Sequence, residues 1–287
     1  MNQNAKHPDQ RRLNVGCGAH YHKDWCNIDL VALGKEVISH DIRQGLPFAD
    51  NSFDAVYHSH VLEHLNPEQG EKLIRECGRV LAPGGILRVV VPDLERITRL
   101  YLDMLDRAWV GNPEAEENYE WMKLELLDQM VRQKSGGLMG PYMIDSSRSN
   151  AAFVKSRIGG ELDSCQSVSG QKPARLSKRI STWAKQNRQR LAMFSVRVLL
   201  GRDQDEAFRE SLFRQQGEIH RWMYDRLSLK KLCETCGLDN FRVCQAEESS
   251  IEDFASFRLD SNGNQIRKPD SLFVECCKSK ATTRMAA

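Results

Sequence analysis

The amino-acid sequence predicts an α/β fold built on a mostly parallel sheet with an antiparallel final strand. Short apolar runs alternate with helical patterns through residues 12–92, which is typical of parallel strands joined by crossovers. Strand-like runs return only within residues 241–278. The stretch between them is helical by pattern and, at about 130 residues, too long for a plain loop. We therefore expect a large helical insertion after the fifth strand.

The predicted elements follow one another along the chain. Five early strands are predicted at RLNVG (12–16), CNIDL (26–30), EVISH (36–40), FDAVYHS (53–59) and ILRVVVP (86–92). A helix is predicted in PEQGEKLIRECGRVLAPGG, ended by Pro83 and two glycines. FRVCQAE (241–247) and SLFVECCK (271–278) predict the last strands, after a helix in SLKKLCETCG and around a hairpin-type turn at DSNGN. The sheet domain is expected at residues 1–95 and 217–280, and the helical insertion at 96–216.

Composition narrows the class of protein. The chain has 40% hydrophobic and 28% charged residues with a net charge of +2, so no global field points to nucleic acid or membrane. No apolar run approaches the roughly 20 residues of a membrane-spanning helix, and the N-terminus lacks a signal-peptide pattern. Nine cysteines, an odd number, fit reduced thiols in the cytoplasm better than a disulfide framework. The CETC pair at Cys233 and Cys236 lacks a second pair nearby, so a zinc role is disfavoured.

One basic segment stands out in the insertion. From Ser164 to Arg202 there are nine Lys or Arg residues and no Asp or Glu. Within residues 172–200 a helical face carries Leu176, Ile180 and Trp183. This helix either docks on its own catalytic domain or contacts an anionic membrane surface, which would place the protein at the inner membrane. The oligomeric state stays open.

The glycine pair near the N-terminus indicates a nucleoside without phosphates. A dinucleotide site needs a third glycine and an acid about 20 residues on, whereas Tyr21 occupies the third position and Asp29 comes only eleven residues after Gly18. The short connection leaves no room for a full crossover helix and its phosphate-binding N-terminus. Gly16 and Gly18 would let the backbone approach a ligand, and Asp29 would hold a ribose. This pattern matches S-adenosylmethionine.

Four motifs in order carry a family resemblance. NVGCG, NIDL, HDIRQGLPFADNSFDAVYHSHVLEHL and RVLAPGGILRVVVPDL resemble the Rossmann-like class I S-adenosylmethionine-dependent methyltransferases. Within these, GEIHRWMYDRLSLKKLCETCGLDNF and KPDSLFVECCK are similar to predicted methyltransferases associated with cell-surface polysaccharide synthesis. The resemblance covers residues 12–95 and 217–278 and covers the middle poorly. It implies an enzyme that transfers a methyl group, with a saccharide or glycan precursor as acceptor.

The resemblance also implies which residues bind the cofactor. Gly16 and Gly18, with Cys17 between them, would lie against the methionine and ribose, and Asp29 beside Leu30 would hold the ribose hydroxyls. The adenine would lie between Asp41 and Ile42, and His58 and Ser59 would lie beside the donor. Asn14 replaces the family's usual acid, so the donor's amino group is expected to be held differently.

The acceptor is expected beyond the carboxyl ends of the strands, as in open α/β sheets. That rule selects Asp93 and the residues after the fourth strand, including Glu63, whose role could also be structural. If the acceptor is a hydroxyl, a base must remove its proton, and the candidates are His220, His60 and His64. The stretch EIHRWMYD adds Glu218, Trp222, Tyr224 and Asp225 as acceptor contacts, although Trp222 and Tyr224 could equally pack the insertion onto the sheet. His20 and His22 lack nearby ligands, so no metal is expected.

Two other functions remain open at this point. The basic helix would suit an RNA methyltransferase, but no array of stacking aromatic residues accompanies its charges, so no nucleic-acid partner is expected. Asn14 and the short first crossover would also suit a non-catalytic protein that binds S-adenosylmethionine within an assembly.

Overall fold

A computed structural model describes residues 11–145, 147–159, 192–215, 217–263 and 265–280. Its seven strands are β1 (Arg12–Val15), β2 (Cys26–Asp29), β3 (Val37–Ser39), β4 (Phe53–Ser59), β5 (Leu81–Pro92), β6 (Leu238–Cys244) and β7 (Ser271–Lys278). They form one sheet in the order β3-β2-β1-β4-β5-β7-β6. Strands β1 to β5 pair in parallel, and β7 is antiparallel to both of its neighbours. The predicted Rossmann-like sheet with an antiparallel final strand is therefore confirmed.

Helices surround this sheet and fill the insertion. They are α1 (Pro67–Val80), α2 (Leu94–Trp109), α3 (Pro113–Val131), α4 (Met139–Ile144), α5 (Ala151–Ile158), α6 (Arg202–Arg214) and α7 (Arg226–Thr235), with short 3₁₀ turns η1 (Ile42–Gln44), η2 (Leu62–His64) and η3 (Phe254–Phe257). Residues 192–200 are also helical. The helices α2 to α6 follow β5, as expected for a helical insertion, and its exact limits remain a prediction.

The fifth strand starts earlier than its apolar run predicts. Helix α1 ends at Val80, and β5 begins at Leu81 rather than at Ile86. Leu81 pairs with Phe53, and the register then shifts before Ile86 pairs with Ala55. Pro83 and the two glycines thus lie in an irregular stretch of strand, where such residues are tolerated.

The last two strands are not joined by a simple hairpin. At the predicted DSNGN turn, whose last residue lies outside the described residues, Ser261 and Ile266 make an isolated antiparallel bridge. It lies inside a long connection that also contains η3.

Alternate residues of the strands supply two separate cores. In β4, Val56 points to the face that packs against α1 and α7, whereas Ala55 and Tyr57 belong to a cluster on the other face. That second cluster is rich in aromatic side chains: Trp25, Tyr57, Phe254, Phe257 and Phe273. A third cluster, centred on Trp121 and Met122, lies among the helices of the insertion. The insertion therefore has apolar packing of its own.

A buried arginine fastens the C-terminal connection to the sheet. Arg88 on β5 is fully buried and donates hydrogen bonds to the carboxylates of Asp260 (2.8 Å) and Glu275 (2.9 Å). It also donates to the backbone carbonyls of Gln245, Ala246 and Glu248. These contacts explain how a long connection keeps a fixed position beside the sheet.

The predicted basic helix lies mostly outside the described residues, because the structure describes only 192–200 of residues 172–200. In that part Phe194 and Val198 are exposed. Across the described ranges, no helix combines the length and apolar character needed to cross a membrane.

Candidate active site

The two glycines form a tight turn directly after β1. Gly16 (φ +66°) and Gly18 (φ +54°) have left-handed backbone conformations, which favour glycine. A Cβ atom added at Gly16 would overlap the side chain of Val61, whereas one added at Gly18 would meet no atom within 4 Å. The chain then reaches β2 through turns and without a helix. The short crossover that the sequence predicts, without a helix whose N-terminus could bind a phosphate, is therefore present.

Asp29 holds this turn from the end of the neighbouring strand. Its Oδ2 accepts a hydrogen bond from the backbone N–H of Gly18 at 2.8 Å, and its Oδ1 accepts one from Val31 at 3.0 Å. Leu30, the next residue, is 56% exposed. A carboxylate beside an exposed apolar side chain and an open glycine turn suits a ribose joined to an adenine ring.

These residues fit S-adenosylmethionine better than a phosphate-bearing nucleotide. The open space above Gly18 admits a ligand close to the backbone, and the facing charge is the carboxylate of Asp29. Cys17 between the glycines is buried, and burial raises the pKa of its thiol to about 12, so it stays protonated.

Two other predicted cofactor residues are engaged with the protein. Asn14 is buried, and its Nδ2 donates to the carbonyl of His20 and to Oδ1 of Asn27, both at 3.2 Å. Asp41 caps η1 and pairs with Arg43 through both carboxylate oxygens. Each residue shapes the cofactor loops, and direct contact of either one with the donor remains a prediction.

The remaining predicted cofactor residues differ in accessibility. Ile42 is partly buried against the sheet core. Ser59 is half-buried at the end of β4, but His58 is fully buried, and desolvation lowers its pKa to about 4. His58 is therefore a neutral core histidine rather than a surface that a donor could touch.

The three candidate bases and one buried glutamate form a single cluster. We call His60, Glu63, His64 and His220 the histidine–glutamate cluster. His60 Nδ1 lies 3.1 Å from Glu63 Oε1, and the rings of His64 and His220 meet edge to face with centroids 5.0 Å apart. All four line a cavity of about 250 Å³. The predicted candidates, more than 150 residues apart in sequence, do converge.

Backbone hydrogen bonds bring His220 into this cluster. The carbonyl of Glu63 accepts from the N–H groups of Arg221 (2.7 Å) and Trp222 (3.2 Å). The N–H of His220 donates to the carbonyl of Gln129 on α3 at 3.0 Å. The segment that precedes α7 is thus held between the end of β4 and the insertion.

The cluster sets the charge of Glu63 and His220. Burial opposes ionisation of Glu63, but the neighbouring rings of His60, His64 and His220 outweigh it and hold the pKa of the carboxyl far below its usual range. Desolvation lowers the pKa of His220 to about 3. At neutral pH the site therefore contains a buried carboxylate beside an uncharged His220.

The predicted acceptor residues separate into two groups. Glu218 lines the cavity and accepts hydrogen bonds from Arg132 Nη1 (2.9 Å) and from the backbone of Gly136 (2.8 Å). Trp222 is 46% exposed. Contact of either side chain with the acceptor remains a prediction.

The other three acceptor candidates have structural contacts. Asp93 caps α2, and Asp225 caps α7 through the N–H groups of Leu227 and Ser228. Tyr224 belongs to the sheet core and bridges to Asp93. An acid at a strand end or a helix start satisfies the same sequence pattern whether it caps or binds, so the pattern did not separate the two roles.

Sequence reasoning missed several cavity residues. Ser271 places its Oγ 2.8 Å from His60 Nε2, and Gln129, Lys268 and Asp270 line the cavity. The sequence could have indicated three of them: Lys268, Asp270 and Ser271, which lie at or just before the start of β7. Because β7 runs antiparallel, its first residues lie at the edge where the parallel strands end.

Comparison with known proteins bears on the N-terminal half of the sheet. A family model described as a methyltransferase domain matches residues 13–89. Those residues are therefore similar to a methyltransferase domain. The match includes the glycine turn and Asp29, the residues that predict S-adenosylmethionine as the cofactor.

Similarity to individual proteins is limited in extent. The "Probable methyltransferase ltbC" of Aspergillus luteorubrus is 37% identical over 87 residues, which is 27% of this chain and 30% of that protein. The match therefore spans less than a third of its length.

Two solved structures are similar to this chain. A S-adenosylmethionine-dependent methyltransferase of Thermotoga maritima, described as a possible histamine N-methyltransferase, is 11% identical with a TM-score of 0.37, covering 94% of this chain and 82% of that one. The N-methyltransferase NodS of Bradyrhizobium japonicum WM9, solved with S-adenosyl-L-homocysteine, is 22% identical with a TM-score of 0.26, covering 31% and 55%.

Proposed function

We propose that the protein is an S-adenosylmethionine-dependent methyltransferase acting on a hydroxyl of a small polar acceptor, a saccharide or glycan precursor, in the cytoplasm. One observation carries the proposal. The glycine turn follows β1, and His60, Glu63 and His64 of the histidine–glutamate cluster follow β4, which is the neighbour of β1 in the sheet. Val61 of the cluster segment packs where a Cβ of Gly16 would lie. The proposed donor site and the proposed acid–base site would therefore adjoin.

The donor half would be held by backbone and one carboxylate. Asp29 would accept hydrogen bonds from the two ribose hydroxyls while it keeps Gly18 in place. Leu30 would offer an apolar surface to the adenine. A sulfonium donor supplies an already activated methyl group, so the remaining task of the chain is in-line placement of the acceptor.

We assign the acceptor proton to His60 in preference to His64 and His220. His60 lies between Glu63 on its Nδ1 side and Ser271 on its Nε2 side, so the ring is oriented from both ends. The Glu63 carboxylate would stabilise the ring when it takes up the proton, as in other histidine–carboxylate pairs. Desolvation lowers the pKa of His220 to about 3, so this ring takes up a proton poorly at neutral pH.

The cavity supports a small acceptor with hydroxyl groups. Its volume of about 250 Å³ lies below the usual range for drug-sized ligands. Its lining combines Glu218, Gln129 and Lys268 with the cluster.

The eight cysteines of the described ranges are unpaired, which is consistent with a reducing compartment.

The test is a screen for methyl uptake. Purified protein is incubated with S-adenosylmethionine labelled in its methyl group and with sugars, nucleotide sugars and glycan precursors in turn. Label in the oxygen-methylated product of one acceptor class supports the proposal. Uptake by RNA or by a protein in place of every saccharide would contradict the assigned acceptor.

A further inference from the structure

We infer that Glu63, His64 and His220 form a binding site for one divalent transition-metal ion, with His60 orienting the glutamate. The sequence suggested no metal, because His64 and His220 are far apart along the chain and Glu63 could be taken for a helix-start residue. The fold brings the three side chains together on one wall of the cavity. What the ion does rests on the proposed function, whereas its binding does not.

The geometry of the three side chains is that of a ligand set. One ligand atom from each lies within 4.8 Å of the others. Around a zinc ion with bonds of about 2.1 Å, ligand atoms lie roughly 3.4 Å apart in a tetrahedral arrangement. Side-chain movements of a fraction of an ångström to about 1 Å would close the site. Two histidines and one glutamate are also a known set for a metal with an open fourth position.

The glutamate gives a second, independent indication of a ligand. Glu63 is fully buried, and neither of its carboxylate oxygens makes a hydrogen bond within the part of the chain that the structure describes. His60 Nδ1 approaches Oε1 at 3.1 Å, and the rings of His64 and His220 also act on the carboxylate electrostatically. A buried carboxylate is costly unless it is paired or binds a metal. Oε2 is buried without a hydrogen bond. A cation bound in the cavity would offset the free-energy cost of burying this charge.

The tautomer of His64 is already suited to metal binding. His64 Nδ1 lies 3.1 Å from the carbonyl of Ile219, and a carbonyl can only accept, so Nδ1 carries the hydrogen. The lone pair is then on Nε2. A hydrogen bond from the other ring nitrogen to a carbonyl is the usual support of a ligating histidine.

The three ligand side chains determine which class of metal ion would bind. Two imidazoles and one carboxylate suit zinc, cobalt, iron or manganese, whereas magnesium and calcium prefer oxygen ligands. An ion held here would leave its open side toward the cavity, where it would act as a Lewis acid on an acceptor oxygen. Such an ion would assist removal of the acceptor proton next to His60.

Binding of cobalt and zinc tests this inference directly. Tag-free full-length protein is stripped with a chelator, desalted and titrated with Co²⁺ and with Zn²⁺, with Mg²⁺ as the comparison ion. We expect one Co²⁺ per chain with visible absorption of low-coordinate cobalt, displacement by Zn²⁺, and no competition from Mg²⁺. Affinity should fall at least about 100-fold in Glu63→Gln and His220→Ala, since even outer-shell changes cost 10–100-fold.

The matched control is His22→Ala, which removes another histidine lying near a carboxylate, 3.7 Å from Asp24. It should bind Co²⁺ as the unchanged protein does. Absence of stoichiometric binding, or equal affinity in His220→Ala, would overturn the inference. X-ray absorption of the zinc-loaded unchanged protein needs no variant: nitrogen and oxygen ligands support the site, and sulfur ligands overturn it. Binding of S-adenosylhomocysteine, measured separately, reports on the proposed function alone.

Discussion

Single residues determine the conformation of the glycine turn. Gly16 must be glycine for two reasons, its positive φ and its contact with Val61, whereas Gly18 needs only its φ and leaves open space. Asp29 joins the two strand ends by accepting from Gly18. Asn14 fills the position of the acid expected from the family resemblance and ties the loop to Asn27 instead. The turn is therefore shaped before any donor binds.

Gly16→Ala should destabilise the protein more than Gly111→Ala. Both glycines have positive φ, but an added methyl at Gly111 meets no atom within 4 Å, whereas at Gly16 it overlaps Val61. We expect an additional loss of about 1–3 kcal/mol in the free energy of unfolding, from overpacking. Urea unfolding of both variants measures it, and equal losses would show that Val61 yields freely.

His60→Ala should slow methyl transfer without weakening donor binding. Loss of a general base costs about 10²–10⁴-fold in kcat, and His60 lines the cavity proposed for the acceptor. Once an acceptor is known, kcat and the affinity for S-adenosylhomocysteine are measured side by side. A kcat within about threefold of the unchanged protein would exclude His60 as the base.

At the scale of elements, the residues of the candidate site lie at the edge of the sheet where the parallel strands end. The end of β4, the start of β7 and the segment before α7 meet there, and the insertion contributes Gln129 from α3. Contacts that fix these elements should therefore affect stability more than surface pairs do.

Arg88→Met should be strongly destabilising. It would leave Asp260 and Glu275 buried without their shared cation, and breaking a buried pair costs about 3–5 kcal/mol. Arg75→Met is the control, because Arg75 is half-exposed and pairs with Glu71 one turn away; it should cost less than about 1 kcal/mol. Chemical unfolding compares the two, and similar losses would contradict the role given to Arg88.

Asp225→Ala should cost about 1 kcal/mol at neutral pH through loss of the cap of α7. The N–H of Ser228 lowers the pKa of Asp225, so the carboxylate adds stability above the usual aspartate range, and this part is lost as pH falls through the lower folded pKa. Asp225→Asn keeps a capping oxygen and should lose only that pH-dependent part. Equal stability of the Ala variant would refute the cap.

The sequence predicted local features well and distant contacts less well. Gly16, Gly18 and Asp29 lie within one strand–turn–strand unit, so their spacing alone indicated the site. His220 was found because α7 begins on the edge where the strands end. Ser271 and Lys268 were missed because the consequence of an antiparallel last strand was not followed to its first residues. Asp93 and Asp225 cap helices, and their contact with an acceptor stays a prediction because acids that cap and acids that bind share one sequence pattern.

At the scale of the molecule, different parts of the chain contribute residues to the same edge of the sheet. The matched methyltransferase domain at residues 13–89 supplies the donor turn and most of the cluster. The C-terminal part supplies His220 and Ser271, and the insertion holds the segment of His220 in place through Gln129. Acceptor specificity would then belong to the parts outside the matched domain, and donor binding to the part inside it.

Calorimetric titration with S-adenosylhomocysteine tests the central claim, that the glycine turn and Asp29 form a nucleoside site. The unchanged protein should bind one equivalent, and Asp29→Ala should bind about 10–150-fold more weakly, since hydrogen bonds to a charged group contribute about 1.5–3 kcal/mol. Asp103→Ala, which removes an exposed carboxylate of α2 paired with Arg107, should bind unchanged. No heat from the unchanged protein, or equal affinity in Asp29→Ala, would contradict the account.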